Sequence, residues 1–262
     1  GCIYTQHRLP KWAKDSPNVF FRAADRYSKK NITRYKEMVF ALQNELTLEQ
    51  NLEIVNRFIK EVLPNTYYTL AVHDKVGAMA QDGTHNLHVH LMISPHIIDD
   101  VEQEKERLRS DYFSYPLRKN AKDQSDKAKR THGAPIDRRW SLKGIVPELR
   151  ATYEDITNDV LRKYGFRVQI DHRSLKAQEQ EALQNGDLLL AKILHRIPER
   201  HVGNIQVMQE KNPMVDMIKK YRVERKEYLD LLFEADMLEH SMAEAEQEKQ
   251  AKALQEDVAS IV

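Results

Sequence analysis

The sequence predicts an α/β chain of the α+β kind: a central antiparallel sheet flanked by helices, with a helical C-terminal extension. Three observations carry this expectation. Residues 34–42, 66–74 and 86–94 alternate in polarity or are rich in aromatic and β-branched side chains, as strands are. Apolar residues at three- and four-residue spacing mark helices at 47–63 and 145–164. From Pro213 onward the chain reads as almost uninterrupted helix.

Taken in order, residues 1–18 read as an irregular lead-in, and Phe20, Ala23, Ala24 and Tyr27 share one face of a short helix. In the first predicted strand Tyr35, Glu37, Val39 and Ala41 point one way. Thr47 with Gln50 three residues later is a helix-start signature, Leu48, Leu52, Val55, Ile59 and Val62 form the stripe, and Pro64 ends it. The strands at 66–74 and 86–94 are joined by a loop containing Gly77 that is too short for a crossover helix, so they should pair as antiparallel neighbours. Residues 98–139 lose all periodicity and read as a long functional or disordered loop. After Trp140 comes the helix carrying Ile145, Leu149, Tyr153, Ile156 and Val160, closed by Gly165. A short strand, FRVQI, and a helix from about Ser174 follow. The expected division is a body at 1–205 and a helical extension at 206–262.

Charge is segregated along the chain although the formal net charge is only +1. Residues 118–143 hold nine Lys or Arg against three Asp, whereas residues 230–257 hold nine acids against two Lys. That pattern suits a polyanion-binding body with a separate acidic helical tail. The single cysteine, Cys2, excludes an internal disulfide framework and a multi-cysteine zinc site, and fits a reducing cytoplasm. No apolar run is long enough for a membrane span, and no secretory signal pattern is present.

Four of the eleven histidines fall within residues 73–90. His88 and His90 flank Val89, so in a strand both imidazoles leave the same face about 7 Å apart at Cβ. His73 ends the preceding strand and, in an antiparallel hairpin, completes a three-nitrogen set with open coordination positions, as a catalytic ion requires. Such ligands accept Mn, Ni, Co or Zn. His85 reads as a turn residue, and Asp74 as a candidate acceptor orienting His73.

A histidine closing one strand, a short loop and an HxH strand running into LMIS resembles the metal centre of the MobA/MobL plasmid mobilization relaxases, the MobQ type of conjugative nickase. FALQNELTLEQNLEIVNRF, the helix containing ELRATYEDITNDVLRKYG, and IDHRSLKAQ at residues 170–178 carry the same resemblance in the same order. The resemblance implies an HUH-like relaxase fold in which His73, His88 and His90 ligate a divalent ion, with Mn or Mg in use and Ni, Co or Zn possible. It implies an enzyme that nicks single-stranded plasmid origin DNA by tyrosine transesterification during conjugative mobilization, alongside relaxosome accessory proteins. Glu37 falls where such relaxases keep acids near the metal, as general base or as partner to a ligand histidine. Val39 stands where the family often has a second acid.

The family's nucleophilic tyrosine lies before the point where the resemblance begins, and Tyr4 is not on its position. The expectation is therefore an N-terminally truncated relaxase domain lacking a strand and the nucleophile. Lys129, Arg130, Arg138, Arg139 and Trp140 are the expected DNA contacts in the basic stretch, with Tyr115 also available for stacking. Arg173 is a candidate phosphate contact and Ser174 a helix cap. Two other functions remain open: a metal-dependent phosphodiesterase using activated water, and a non-catalytic single-stranded DNA-binding remnant.

Overall fold

A computed structural model describes residues 1–76, 85–197 and 212–261. The chain forms two compact units, Gly1–His172 and Arg173–Val262. The loop holding Gly77 and the expected boundary near residue 205 lie outside the described residues.

The first unit is built on a four-stranded antiparallel sheet of β1 (Cys2–Arg8), β2 (Lys36–Ala41), β3 (Thr66–His73) and β4 (His88–Ile97), in the order β1-β3-β4-β2. The expected antiparallel pairing of β3 with β4 is present, with His73 opposite His88 and Leu70 opposite Leu91. The lead-in is not irregular. Cys2–Arg8 pairs along the free edge of β3, and a 3-10 turn, Lys11–Ala13, leads into α1 (Pro17–Tyr27), capped by Ser16. The strand is hard to read because none of its residues CIYTQHR is fully buried and they never alternate cleanly in polarity.

One face of the sheet is covered by α2 (Leu48–Val62) and the later helix of residues 145–163. Leu70, Val72, Val89, Leu91 and Ile93 pack there against Ile54, Phe58, Ile156 and Val160. The Thr47–Gln50 capping box forms as expected. Buried Asn51 fixes the approach to α2: its amide donates to the carbonyls of Gln43, Leu46 and Thr47, and its oxygen accepts from the Gln43 N–H.

A second cluster joins Phe20 and Ala24 of α1 to Tyr67 of β3 and to Tyr112, Phe113 and Ala134. These last residues belong to the stretch expected to be a loop. It folds instead into α3 (Asp100–Glu104), α4 (Arg109–Tyr112), α5 (Asp126–Arg130) and a 3-10 turn, Arg138–Ser141. The periodicity test fails here because part of this core is charged. The Arg107 side chain is 1% exposed and Glu102 0%, and Arg107 bonds both carboxylate oxygens of Asp99, at 2.7 and 2.8 Å.

Gly133 seats this segment, since a Cβ there would lie 1.9 Å from the Ser114 carbonyl oxygen. We expect Gly133→Ala to cost about 1–3 kcal/mol or more by forcing that backbone apart. Gly144→Ala, with nothing within 4 Å, should leave the urea midpoint nearly unchanged. Equal midpoints for the two variants would contradict the close approach.

His96, 1% exposed, donates from Nδ1 to the Ala134 carbonyl at 2.8 Å, while its Nε2 has no partner among the described residues. Burial holds its pKa below the ordinary 6.5, with Arg107 adding to the shift and the Ala134 bond opposing it. The unfolded chain therefore binds the proton more readily. His96 contributes fully above about pH 6.5 and loses that contribution as pH falls toward its folded pKa, at up to about 1.4 kcal/mol per pH unit. In paired urea melts at pH 7.5 and 5.5, the parent should lose more stability than His96→Gln, whereas parallel losses would contradict the assignment.

The expected helix after Trp140 is α6 (Ile145–Lys163). FRVQI is not a strand: the amide of buried Asn158 pairs with the N–H and carbonyl of Ile170, satisfying that backbone without a sheet partner. The second unit holds α7 (Leu175–Gln184), α8 (Leu188–Leu194) and α9 (Pro213–Ile261). Ser174 caps α7 through the Ala177 N–H, as expected. Arg225 of α9 donates to the carbonyls of Ile193 and His195, while Leu231, Met237 and Met242 are exposed.

Candidate metal centre

The β3–β4 hairpin builds the site through its two-residue period. Val72, Val89 and Leu91 turn into the main core at 0% exposure, which sends His73, His88 and His90 to the opposite, half-open face. Register then sets their spacing: His73 is paired with His88, and His90 lies two residues along β4 opposite Ala71.

The three rings form a nearly equilateral triangle with centres 5.5, 5.0 and 5.2 Å apart. One nitrogen from each lies within 4.8 Å of the other two. Metal–nitrogen bonds of about 2 Å put each ring centre roughly 3 Å from an ion, so three ligand rings at tetrahedral to octahedral angles stand about 5 Å apart. The ring spacing is of the size that one shared cation would require.

Hydrogen bonds orient two of the rings. His90 Nδ1 donates to Glu37 Oε1 at 3.0 Å, and His88 Nδ1 donates to the Asn86 carbonyl at 2.6 Å. In a neutral ring such a bond keeps the proton on Nδ1, which turns Nε2 into the ligating nitrogen. Glu37 reaches His90 because β2 lies beside β4, with Val39 opposite His90 and Glu37 opposite Met92. Of the two roles expected for Glu37, the geometry displays the hydrogen-bond partner. Val39, 57% exposed, leaves the neighbouring position apolar and open.

His73 has its pKa lowered, first by burial and then by the neighbouring His90 and His88. A neutral ring is the form that binds metal. Asp74, expected behind His73, instead bonds His85 Nδ1 at 2.6 Å, and His85 is outside the three-ring group.

A second carboxylate–imidazole group escaped sequence reasoning. Glu154 of α6 accepts from the His172 backbone N–H at 2.9 Å and contacts His172 Nδ1, and Asp171 lies with them. Glu154 is eighteen residues from His172, and nothing local in IDHRSLKAQ signals it.

The expected DNA contacts are dispersed. Arg130 is held by Glu104 at 2.7 Å and by the carbonyls of Val101 and Lys105. Arg139 grips Asp137 and stacks on Trp140, whose ring is half-buried against the main core. Lys129 pairs with Asp126 at 3.2 Å, and Arg173, in the second unit, pairs with Glu181 at 2.6 Å. Arg138 is exposed and forms no ion pair among the described residues.

Fold and site together define an α+β protein whose antiparallel sheet gathers three histidines on one face, a candidate site for a metal ion. The chain belongs to the MobA/MobL family, whose sequence profile matches residues 2–188. It is 32% identical over 171 residues to the "43 kDa relaxation protein" of Salmonella typhimurium, covering 65% of this chain and 43% of that protein. It is 33% identical over 174 residues to "Mobilization protein A" of Escherichia coli, covering 64% of this chain and 21% of that one. The matches thus span less than half the length of either curated relative. A solved chain described as "Molecular Basis of Vancomycin Resistance Transfer in Staphylococcus aureus" is 23% identical, covering 66% of this chain and 77% of that one, with a TM-score of 0.45. Among the described residues no helix is long and apolar enough to cross a membrane.

Proposed function

We propose that this chain carries the metal-binding, DNA-processing part of a plasmid mobilization relaxase, working in the cytoplasm on single-stranded DNA at an origin of transfer. The observation that supports it most is the grouping of His73, His88 and His90 on one half-open sheet face, a nitrogen of each within 4.8 Å of the others, in a chain of the MobA/MobL family. The three imidazoles would hold a divalent ion, Mn²⁺ or Mg²⁺ first, with Ni²⁺, Co²⁺ and Zn²⁺ compatible with the same nitrogens. Bound there, the ion would supply Lewis-acid polarisation and charge neutralisation at a phosphodiester. Glu37 would keep the proton on His90 Nδ1 and so hold Nε2 toward the ion.

In a relaxase the attacking group is a tyrosine hydroxyl, and Tyr4 does not suit that role. Its ring packs with the main core, on the sheet face opposite the histidines, and its hydroxyl donates to Gln6 at 3.1 Å. Relaxosome accessory proteins would be further partners.

The test is incubation with Mn²⁺ and labelled single strands spanning the mobilization region of the plasmid that encodes the chain, followed by denaturing electrophoresis. The relaxase reading expects origin-selective binding and, once an upstream segment bearing the family's tyrosine is joined to the chain, a covalent protein–DNA adduct. Multiple-turnover cleavage without an adduct would favour a water-using phosphodiesterase, and binding without cleavage in the extended protein would favour a non-catalytic DNA-binding remnant.

A further inference from the structure

We infer that a cavity beyond the far end of β4 is a binding pocket for one nucleotide of a DNA single strand, separate from the histidine centre. The inference rests on the DNA-processing reading and adds to it a place where the strand is held. The cavity has a volume of about 640 Å³, with walls that include Leu117, Pro135 and Ile136 and a margin that includes Arg118, Lys119 and Arg138; Asp99 and Asp100 also line it, Asp99 being held by Arg107. A volume of this size accommodates a small organic ligand such as a nucleotide.

The charges of this region divide into two groups. Arg107, Arg130 and Arg139 are neutralised by Asp99 and Glu102, by Glu104 and by Asp137, so they hold the fold together. Arg118, Lys119 and Arg138 are exposed and, among the described residues, their side chains make no hydrogen bond or ion pair. The three uncommitted cations outnumber the one uncommitted carboxylate of the lining, Asp100, and with Leu117 and Ile136 they match a nucleotide: phosphate at the margin, base against the apolar side chains.

The cavity is also braced. Gln124 donates to the carbonyls of Arg118, Lys119 and Ala121, closing the loop on one side. On the other side residues 133–137 are tied to the ends of two neighbouring segments, Gly133 N–H to the Tyr115 carbonyl and Asp137 N–H to the Pro95 carbonyl. From His90 to Pro95 the strand advances five residues, about 17 Å at roughly 3.4 Å each. A strand seated in the cavity would therefore reach the histidines only several nucleotides away.

The experiment measures binding of fluorescein-labelled dT12 by anisotropy in EDTA, so that no result depends on metal. It compares the parent with Arg118→Ala/Lys119→Ala/Arg138→Ala and with Lys122→Ala/Lys127→Ala, which removes two exposed lysines of the same basic stretch that do not line the cavity. Circular dichroism melting confirms that each protein is folded. The margin variant should bind at least about tenfold more weakly at 0.15 M salt and lower the salt slope by about 2, as expected for three lost phosphate contacts at about 0.7 each. The lysine control should change affinity less than twofold. An abasic strand of equal length should bind the parent more weakly than dT12, and Leu117→Ala should narrow that difference. Equal losses in the margin and control variants, an unaffected margin variant, or equal binding of dT12 and the abasic strand would each overturn the pocket. If the folded parent binds strands from the mobilization region but not dT12, the pocket falls alone; if it binds neither, the DNA-processing reading falls with it.

Discussion

Arg107→Ala will be the most destabilising single substitution among those considered, lowering the unfolding free energy by about 3–5 kcal/mol, the usual cost of removing one partner from a buried ion pair. Its guanidinium sits among Asp99, Glu102 and the carbonyls of Lys129 and His132. Burial works to raise the Asp99 pKa, but the Arg107 bonds outweigh it and hold the carboxyl below its ordinary value. For Glu102 burial prevails and its pKa rises, although Arg107 and the Tyr67 hydroxyl pull it down. The two carboxyls therefore act with opposite sign. Asp99 stabilises above about pH 3.8 and loses that contribution as pH falls through its folded pKa, while ionising Glu102 costs stability as pH rises past about 4.5. Without Arg107 both charges lose their partner, so the deficit in urea melts should be larger at pH 7 than at pH 4. A loss under 1 kcal/mol at pH 7 would show that the network is solvated rather than part of the core.

Glu37→Gln will weaken Mn²⁺ binding about 10- to 100-fold while leaving the melting temperature of the metal-free chain within a few degrees. The carboxylate is exposed, so its removal costs the fold little. Its effect runs through His90, whose Nδ1 proton it holds at 3.0 Å. An amide keeps the size and can still accept that proton through its carbonyl oxygen, but it loses the charge that raises imidazole basicity. Glu37→Asp shortens the reach and should recover less than full affinity. Unchanged Mn²⁺ affinity in Glu37→Gln would remove Glu37 from the site and leave the open face to the three histidines.

Much of the sheet was legible because its inner strands obey a period of two. Val72, Val89 and Leu91 alternate with the histidines, and that alternation both identified the strands and placed His88 and His90 together. Which histidine Glu37 serves was not legible, since that depends on the β2–β4 register, a long-range pairing. β1 was missed because this edge strand buries no residue fully and carries no clean alternation. The segment after β4 was missed for a different reason: its packing uses Glu102 and Arg107, residues that sequence patterning assigns to solvent. FRVQI was over-read because its apparent strand formers find no sheet partner, and at Ile170 the side-chain amide of Asn158 takes the backbone N–H and carbonyl instead. The basic stretch looked uniform in sequence, and only the partners of each cation separate those that hold the fold from Arg118, Lys119 and Arg138.

The central claim is that His73, His88 and His90 form one divalent-cation site. Calorimetric titration with Mn²⁺ of the chain, beside the variant with all three histidines changed to alanine, tests it most directly once circular dichroism has shown both to be folded. One site per chain, absent from the variant, is the expected result. Indistinguishable heats from the two folded proteins would mean that three closely spaced imidazoles on a sheet face do not bind metal, and the claim would be wrong.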